Sequence, residues 1–459
     1  MLQDQIRLSL ARVLSLQYVR DISATQARVL RGAIAIGATA TEAVLPRDTG
    51  VNLSLQQASV DLDAWNEAMS LLTTPTNSKA KARSSKSNVV GQELETTGAQ
   101  DYVPSLLSVR ADQVKLADRF INHVVVGGSR VAELWRLNIA ADELNGTVEA
   151  RPATATQAAQ LYARLSYLNI PPSLVPDVER MLSDEPSSIP ALDVIVNDLT
   201  LRGKKLGRLE MDAVNRTNAA AGREWRLNKL NLSAPDGTLT ATGSWAADGP
   251  KLRRTRLDFV MDIKDSGQLL TRLGTPGAIR NGHGKLQGKV SWLGSPITLD
   301  YPSMTGQMNL QIEKGQFLKT EPGAARLLGV LSLQALPRRL MLDFSDVFGE
   351  GFAFDFVRGD VRIEQGVAST NNFQMKGVSA GAVIEGSADI AKETQNLKVV
   401  VVPEINTSAA TLYMAAINPL VGLTTYLSQL VLNKPLTKAG TSVFLIDGSW
   451  SNPRVTKSE

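Results

Sequence analysis

Apolar residues recur at every second position through much of this chain. Val51, Leu53 and Leu55 alternate with polar neighbours, as do Trp135, Leu137 and Ile139; Leu257, Phe259, Met261 and Ile263; Met308, Leu310 and Ile312; and Phe352, Phe354 and Phe356. A period of two sends one set of side chains to one face of a sheet and the intervening set to the other, so each run predicts a half-buried strand. About 18 such strands can be read, and at ~4.8 Å per strand a sheet stacked in sequence order would be about 85 Å long. The expected fold class is mainly β: a long, twisted antiparallel sheet with a few helices.

Repetition points the same way. The tetrapeptide Trp-Arg-Leu-Asn occurs at Trp135 to Asn138 and again at Trp225 to Asn228, leading to Asn145-Gly146 and Asp236-Gly237 respectively. Asn-Gly and Asp-Gly favour tight two-residue turns, so both copies predict a hairpin. A second unit ends strands in tryptophan ahead of a proline: Trp245 before Pro250, Trp292 before Pro296 and Trp450 before Pro453. These rings serve as core plugs and repeat markers. A repeated β unit extends a surface, whereas a catalytic centre needs unlike residues converging on one point. Binding or transport is favoured over catalysis.

Composition narrows the classes further. The 49 basic and 45 acidic residues are interspersed and leave a net charge of +4, which is a solvated surface rather than a nucleic-acid footprint of clustered Arg and Lys with stacking aromatics. With no cysteine, disulfides, thiolate catalysis and cysteine-held metals are excluded. Only His123 and His283 are present, and no metal-ligand spacing surrounds them. Gly282 to Gly288 resembles a phosphate loop, but the order helix, glycines, strand is the reverse of the one needed and predicts a turn. Asp343, Asp346, Glu350 and Asp355 interleave with aromatics as polar-face residues. No catalytic, metal or cofactor constellation emerges, so an enzyme is not expected. Met1 to Leu16 carries Asp4, Arg7 and Arg12, which breaks the uncharged core of a signal peptide; the chain is read as cytosolic or as starting partway into a longer one.

Helices are predicted at Thr156 to Leu168, ended by Pro171-Pro172, and at Ala324 to Leu336. Residues 73–100 are rich in Ser, Thr, Lys and Gly without periodicity and read as a disordered loop. Ile405 to Asn433 has no charged residue and is comparable in length to a membrane span, though Asn418-Pro419 and several polar residues interrupt it. A buried helix capping the sheet, an apolar helix touching a bilayer and a true span all fit that stretch.

Specific strings then carry a resemblance. Ala324 through Leu340, Leu342-Asp343-Phe344, Gly351 to Asp355 and Gly359 to Ile363 are similar to the carboxy-terminal region of the YhdP family, AsmA-like envelope proteins of Gram-negative bacteria. Ser266-Gly267, Leu269-Leu270, Gly282 to Trp292, Gly377 to Gly386 and Val399 to Pro403 extend it, and Arg28 to Gly32 with Val60 to Trp65 resemble that family's preceding region. The resemblance implies a repeating β-groove, a twisted sheet curled into an open trough with an apolar floor. It implies a distal segment of a periplasm-spanning protein, anchored in the inner membrane by an upstream helix, that shields phospholipid acyl chains on the way to the outer membrane. A structural or assembly factor of the envelope that docks protein is the alternative.

On this reading residues 1–72 are an upstream β segment, 101–250 a β-repeat segment with helices inserted at 156–184, and 251–459 the carboxy-terminal region with an apolar helical tip at 405–433. Candidate floor residues are Phe352, Phe354, Phe356, Val361, Ile363, Val399 and Val401. Candidate membrane-contact residues on the tip are Leu412, Ile417, Leu420, Leu423, Leu427 and Leu430. The expected partners are phospholipid and, at the carboxy-terminal end, a membrane, with no nucleic acid.

Overall fold

The structure, a computed structural model, describes residues 2–458 apart from 65–99, 172–189, 319–351, 404–441 and several stretches of at most four residues. The disordered loop expected over 73–100, apart from Gln100, therefore lies outside the described residues, as do the helix expected over 324–336, the helical segment at 172–184 and the apolar tip at 405–433. Among the described residues no helix is long and apolar enough to cross a membrane.

The chain forms two compact units, Met1–Asp177 and Val178–Glu459. Among the described residues the first holds nine strands: β1 (Gln3–Leu10), β2 (Leu14–Asp21), β3 (Arg28–Gly37), β4 (Gly50–Asp61), β5 (Leu106–Leu116), β6 (Arg119–Val131), β7 (Leu134–Ala140), β8 (Leu144–Arg151) and β9 (Gln160–Ile170). Each pairs with its neighbour in sequence, antiparallel except for the parallel pairs β3–β4 and β4–β5. Leu55, Val60, Ala111, Val114, Val124 and Ala141 form a buried cluster.

The second unit continues the scheme with thirteen strands among the described residues. They are β10 (Ala191–Leu201), β11 (Lys204–Asn218), β12 (Gly222–Ala234), β13 (Gly237–Ala247), β14 (Arg253–Ile263), β15 (Ile279–Leu293), β16 (Thr305–Phe317), β17 (Phe352–Glu364), β18 (Val367–Gly377), β19 (Ala380–Asp389), β20 (Thr394–Pro403), β21 (Ser442–Ser449) and β22 (Asn452–Ser458). A short helix, α1 (Ser266–Arg272), joins β14 to β15. Pairing is antiparallel in strict sequence order, and no pairing joins β22 back to β10, so this sheet is unclosed among the described residues. The mainly β, mostly antiparallel expectation holds in both units.

Five local expectations are corrected. Residues 160–170 are strand β9, not helix, because Leu161, Ala163, Leu165 and Tyr167 alternate and pair in register with β8; the helical reading had grouped Tyr162 and Leu168 with them. The first hairpin turns at residues 141–143, while Asn145-Gly146 sits inside β8 at a bulge, with Gly146 at φ 147°, where a Cβ would lie 2.2 Å from the Arg164 carbonyl oxygen. The second hairpin turns through Pro235-Asp236, one residue earlier than its Asp-Gly signal. Gly282 to Gly288 forms no turn; it runs within β15, where glycine lets β16 approach closely, for a Cβ on Gly284 would lie 1.9 Å from the Gln311 carbonyl oxygen.

The fifth correction concerns the aromatic row of β17. Phe354 is buried against Phe317, ring centroids 4.9 Å apart, and Val357 is buried in the same cluster. An irregularity in the register between Phe354 and Phe356 inserts an extra step, so Asp355 and Phe356 both leave that face. Phe356 is half-buried with the Arg358 guanidinium 4.4 Å from its ring centroid.

Downstream of the bulge the inward row is Val357, Gly359, Val361 and Ile363. Gly359 is buried, and a Cβ there would lie 2.6 Å from the Phe373 ring. Gly359→Val is expected to cost about 1–3 kcal/mol by overpacking. A chemical-denaturation midpoint equal to that of the wild type would show instead that the sheet yields freely at this point.

Candidate functional site

The register of the second unit aligns the inward rows of successive strands. Leu230 pairs with Ala241, Ala241 with Phe259, Phe259 with Gly288, Gly288 with Met308, and Met308 with Val361. Because each is an inward position in its strand's alternation, together they make an apolar band running across β12 to β17. The outward positions are polar and cross-linked by exposed ion pairs, Lys285 to Asp262 at 3.3 Å and Lys289 to Asp258 at 3.2 Å. At that exposure each pair contributes about 1 kcal/mol or less, so the pattern sets which face is wet more than it sets stability.

A concavity of about 1520 Å³ lies on this band. Its lining comes from one transverse slice of seven consecutive strands, β12 to β18, and includes Leu230, Ala241, Phe259, Met308, Val361 and Ile363. The volume exceeds the roughly 300–1,000 Å³ of ordinary small-molecule pockets. Polar neighbours in the same slice, among them Thr240, Asp258, Gln287 and Asp360, line it as well, so the site is amphipathic.

Beyond the concavity the same face is filled by side chains. Ile312, Phe317, Phe354, Val357, Phe373, Met375, Leu397, Val399, Val401, Phe444 and Ile446 form one buried cluster across β16 to β21. Val383 and Val400, which pair on the opposite face, are also buried, so β19 and β20 are covered on both sides. The other end of the band is closed by Trp225 and Trp245, paired across β12 and β13, with Ala213 and Leu227. Trp292 is buried too, its indole N–H donating to the Ser295 carbonyl at 2.9 Å. These tryptophans plug the core, as expected of them.

The sequence-derived floor residues thus separate into groups. Val361 and Ile363 line the concavity. Phe354, Val399 and Val401 lie in the packed core, exposed by 3%, 1% and 3%. Phe356 faces the other way, and the side chain of Phe352 lies outside the described residues. Leu412, Ile417, Leu420, Leu423, Leu427 and Leu430 lie outside them as well. Sequence reasoning did not single out Leu230, Ala241, Phe259 or Met308 as floor residues, although Phe259 and Met308 stood in alternating runs that identified β14 and β16.

The groups with displaced pKa values belong to ion pairs and hydrogen bonds elsewhere. The hydrogen bond with Asp142 holds His123 above the usual imidazole range, and those from Lys229 and Arg208 hold Glu210 below the usual carboxylate range. Arg20 does the same for Asp4, and Lys392 for Asp389. None of these displaced groups lines the concavity.

Comparison with known proteins places this geometry in context. A family model described as YhdP protein matches residues 1–455. The intermembrane phospholipid transporter YhdP of Escherichia coli (strain K12) is 25% identical over 376 residues, which make up 79% of this chain and 29% of that protein. The chain thus spans less than a third of the length of this relative. No solved structure matches it.

Proposed function

The chain belongs to the YhdP family, and from that premise we propose that it is a distal segment of an intermembrane phospholipid carrier of the cell envelope. Its apolar band shields acyl chains while headgroups stay in water. Moving an acyl chain through water costs ~0.8 kcal/mol per methylene, so a carrier needs a continuous apolar surface with an open side. The observation that carries the reading is the concavity of about 1520 Å³ with the row Leu230, Ala241, Phe259, Met308 and Val361 in its lining. Transfer would be sliding along this floor, with no covalent step. The phospholipid-transporting role of the Escherichia coli relative supports the lipid as cargo.

Native mass spectrometry of the purified chain tests this directly. Phospholipid is expected to co-purify, released on denaturation. If none appears across several mild detergents and detergent-free preparations, the carrier reading falls. A second reading, an envelope assembly factor that docks protein on its β surface, draws on the filled core across β16 to β21, and a lipid-free chain would favour it.

We extend the proposal to the uncharged stretch Ile405 to Asn433 on its sequence alone: it is the membrane-contacting tip through which lipid leaves, with periplasmic location and an inner-membrane anchor upstream in the full-length protein. Co-sedimentation with phospholipid vesicles is expected to fall severalfold in Leu420→Asp and Leu427→Asp, since a charge placed at a membrane centre costs about 2.5–3.5 kcal/mol on insertion scales. Equal binding by the wild type and both variants would remove the tip from the proposal.

A further inference from the structure

A second cleft, of about 800 Å³, opens beside α1 at the ends of β11 and β15. Four cationic side chains line it, those of Lys204, Lys205, Arg272 and Arg280, against one carboxylate, Asp265. Two of the cations are already engaged in building the cleft. The ammonium of Lys204 donates to the Leu273 carbonyl, and Arg272 is clamped to the buried Asp236 carboxylate at 2.7 and 3.0 Å while its guanidinium also donates to the Lys205 carbonyl at 2.9 Å. Asp265 is spent on α1, accepting from the Gln268 backbone N–H at 2.9 Å and its side-chain amide at 3.1 Å.

Lys205 and Arg280 are different. Both are exposed, and neither has an ion-pair partner among the described residues. Several strand cations of this unit are matched, Lys229 by Glu210, Lys285 by Asp262, Lys289 by Asp258 and Lys398 by Glu385, whereas Lys205 and Arg280 stand together at one cleft. Even with the Asp236 and Asp265 carboxylates counted, the four cations leave the cleft net positive, which favours an anion.

The cleft also has an apolar side. Ile279 and Leu318 are in its lining, and Ile279 packs against the core cluster together with Leu286, Leu310 and Val361. That run leads from the cleft to the concavity, where Val361 is again a lining residue. From Arg280 to Gly288 along β15 is eight residue steps, about 26 Å at ~3.3 Å per residue. One phospholipid spans about half of a bilayer whose full thickness is ~40–45 Å. A lipid seated at Arg280 would thus reach most of the way to Gly288.

We infer that this cleft seats the phosphate of a phospholipid on Lys205 and Arg280 while its acyl chains run along Ile279, Leu286 and Leu310 to the concavity. The inference rests on the carrier reading and adds a headgroup station to it. The same cations would also hold a free phosphate, so the test has separate arms for the two sources.

Isothermal titration of the full chain with short-chain phosphatidylglycerol, and separately with inorganic phosphate, is compared for the wild type, Lys205→Glu/Arg280→Glu and the remote control Lys457→Glu. Lipid affinity is expected to fall about tenfold or more in the double variant, the scale of a lost charge-assisted hydrogen bond. It should fall likewise with rising salt, and hold in the control. Lys205→Ala/Arg280→Ala gives the same comparison should charge reversal disturb folding. Equal lipid affinity in all variants overturns the headgroup site and leaves the carrier reading standing. Phosphate binding that depends on both cations, without any lipid binding, overturns the lipid assignment in favour of a free-anion site. No binding of either probe overturns the site and the carrier reading together.

Discussion

Asp236→Ala is expected to destabilise the Val178–Glu459 unit by about 3–5 kcal/mol, the cost of leaving the other member of a buried ion pair unmatched. The Asp236 side chain is fully buried and takes the Nε–H of Arg272 on both carboxylate oxygens. Its backbone carbonyl accepts from Lys264 at 2.9 Å and Asp265 at 3.2 Å, so one residue ties the β12–β13 turn to the start of α1. Arg272 carries the link on to β11 through the Lys205 carbonyl. Asp236→Asn keeps an acceptor and should cost less. Arg272→Ala should cost nearly as much as Asp236→Ala. The double variant should cost no more than either single, because the two side chains act as one unit. Urea-unfolding midpoints across the four variants decide it; a loss below about 1 kcal/mol in Asp236→Ala would show that water replaces the pair. The same substitution should loosen the second cleft, since Arg272 is one of its walls.

That ion pair was invisible in the sequence, and the reason is physical. Asp236 and Arg272 are brought together by a turn and a helix from different hairpins, and nothing local in either marks the contact. Strands, by contrast, announce themselves, because burial of one face forces the period of two that was read at Leu257 to Ile263 and Met308 to Ile312. The period misleads where it is broken or mimicked. An extra residue near Asp355 turned Phe356 off the face of Phe354, and Tyr162 and Leu168, added to the true alternation of β9, imitated a helix stripe. Turn chemistry misled for a related reason: glycine after Asn or Asp serves a bulge as well as a turn, and Gly146 was used for the first. The valine run was legible as a strand, but only the structure shows Val399, Val400 and Val401 covered on both faces, which places Val399 and Val401 in packed core.

The division between packed core and open floor makes the functional prediction specific. Phe259→Asp and Met308→Asp, each a partly buried residue in the lining of the concavity, are expected to reduce co-purifying phospholipid to about a tenth of the wild-type ratio or less. Losing apolar contact with only two methylenes costs ~1.6 kcal/mol at ~0.8 kcal/mol each, and 1.4 kcal/mol is already about tenfold in binding. Leu445→Asp, at an exposed position of β21 outside the lining of the concavity, should retain lipid at the wild-type level. Val399→Asp would not be informative in the same way, because its side chain is 1% exposed in the core and its loss would be read as unfolding. Lipid-to-protein ratios unchanged in both Phe259→Asp and Met308→Asp, with folding intact by circular dichroism, would mean that lipid does not rest on this band. The apolar alternation that runs across β12 to β17 would then serve packing alone.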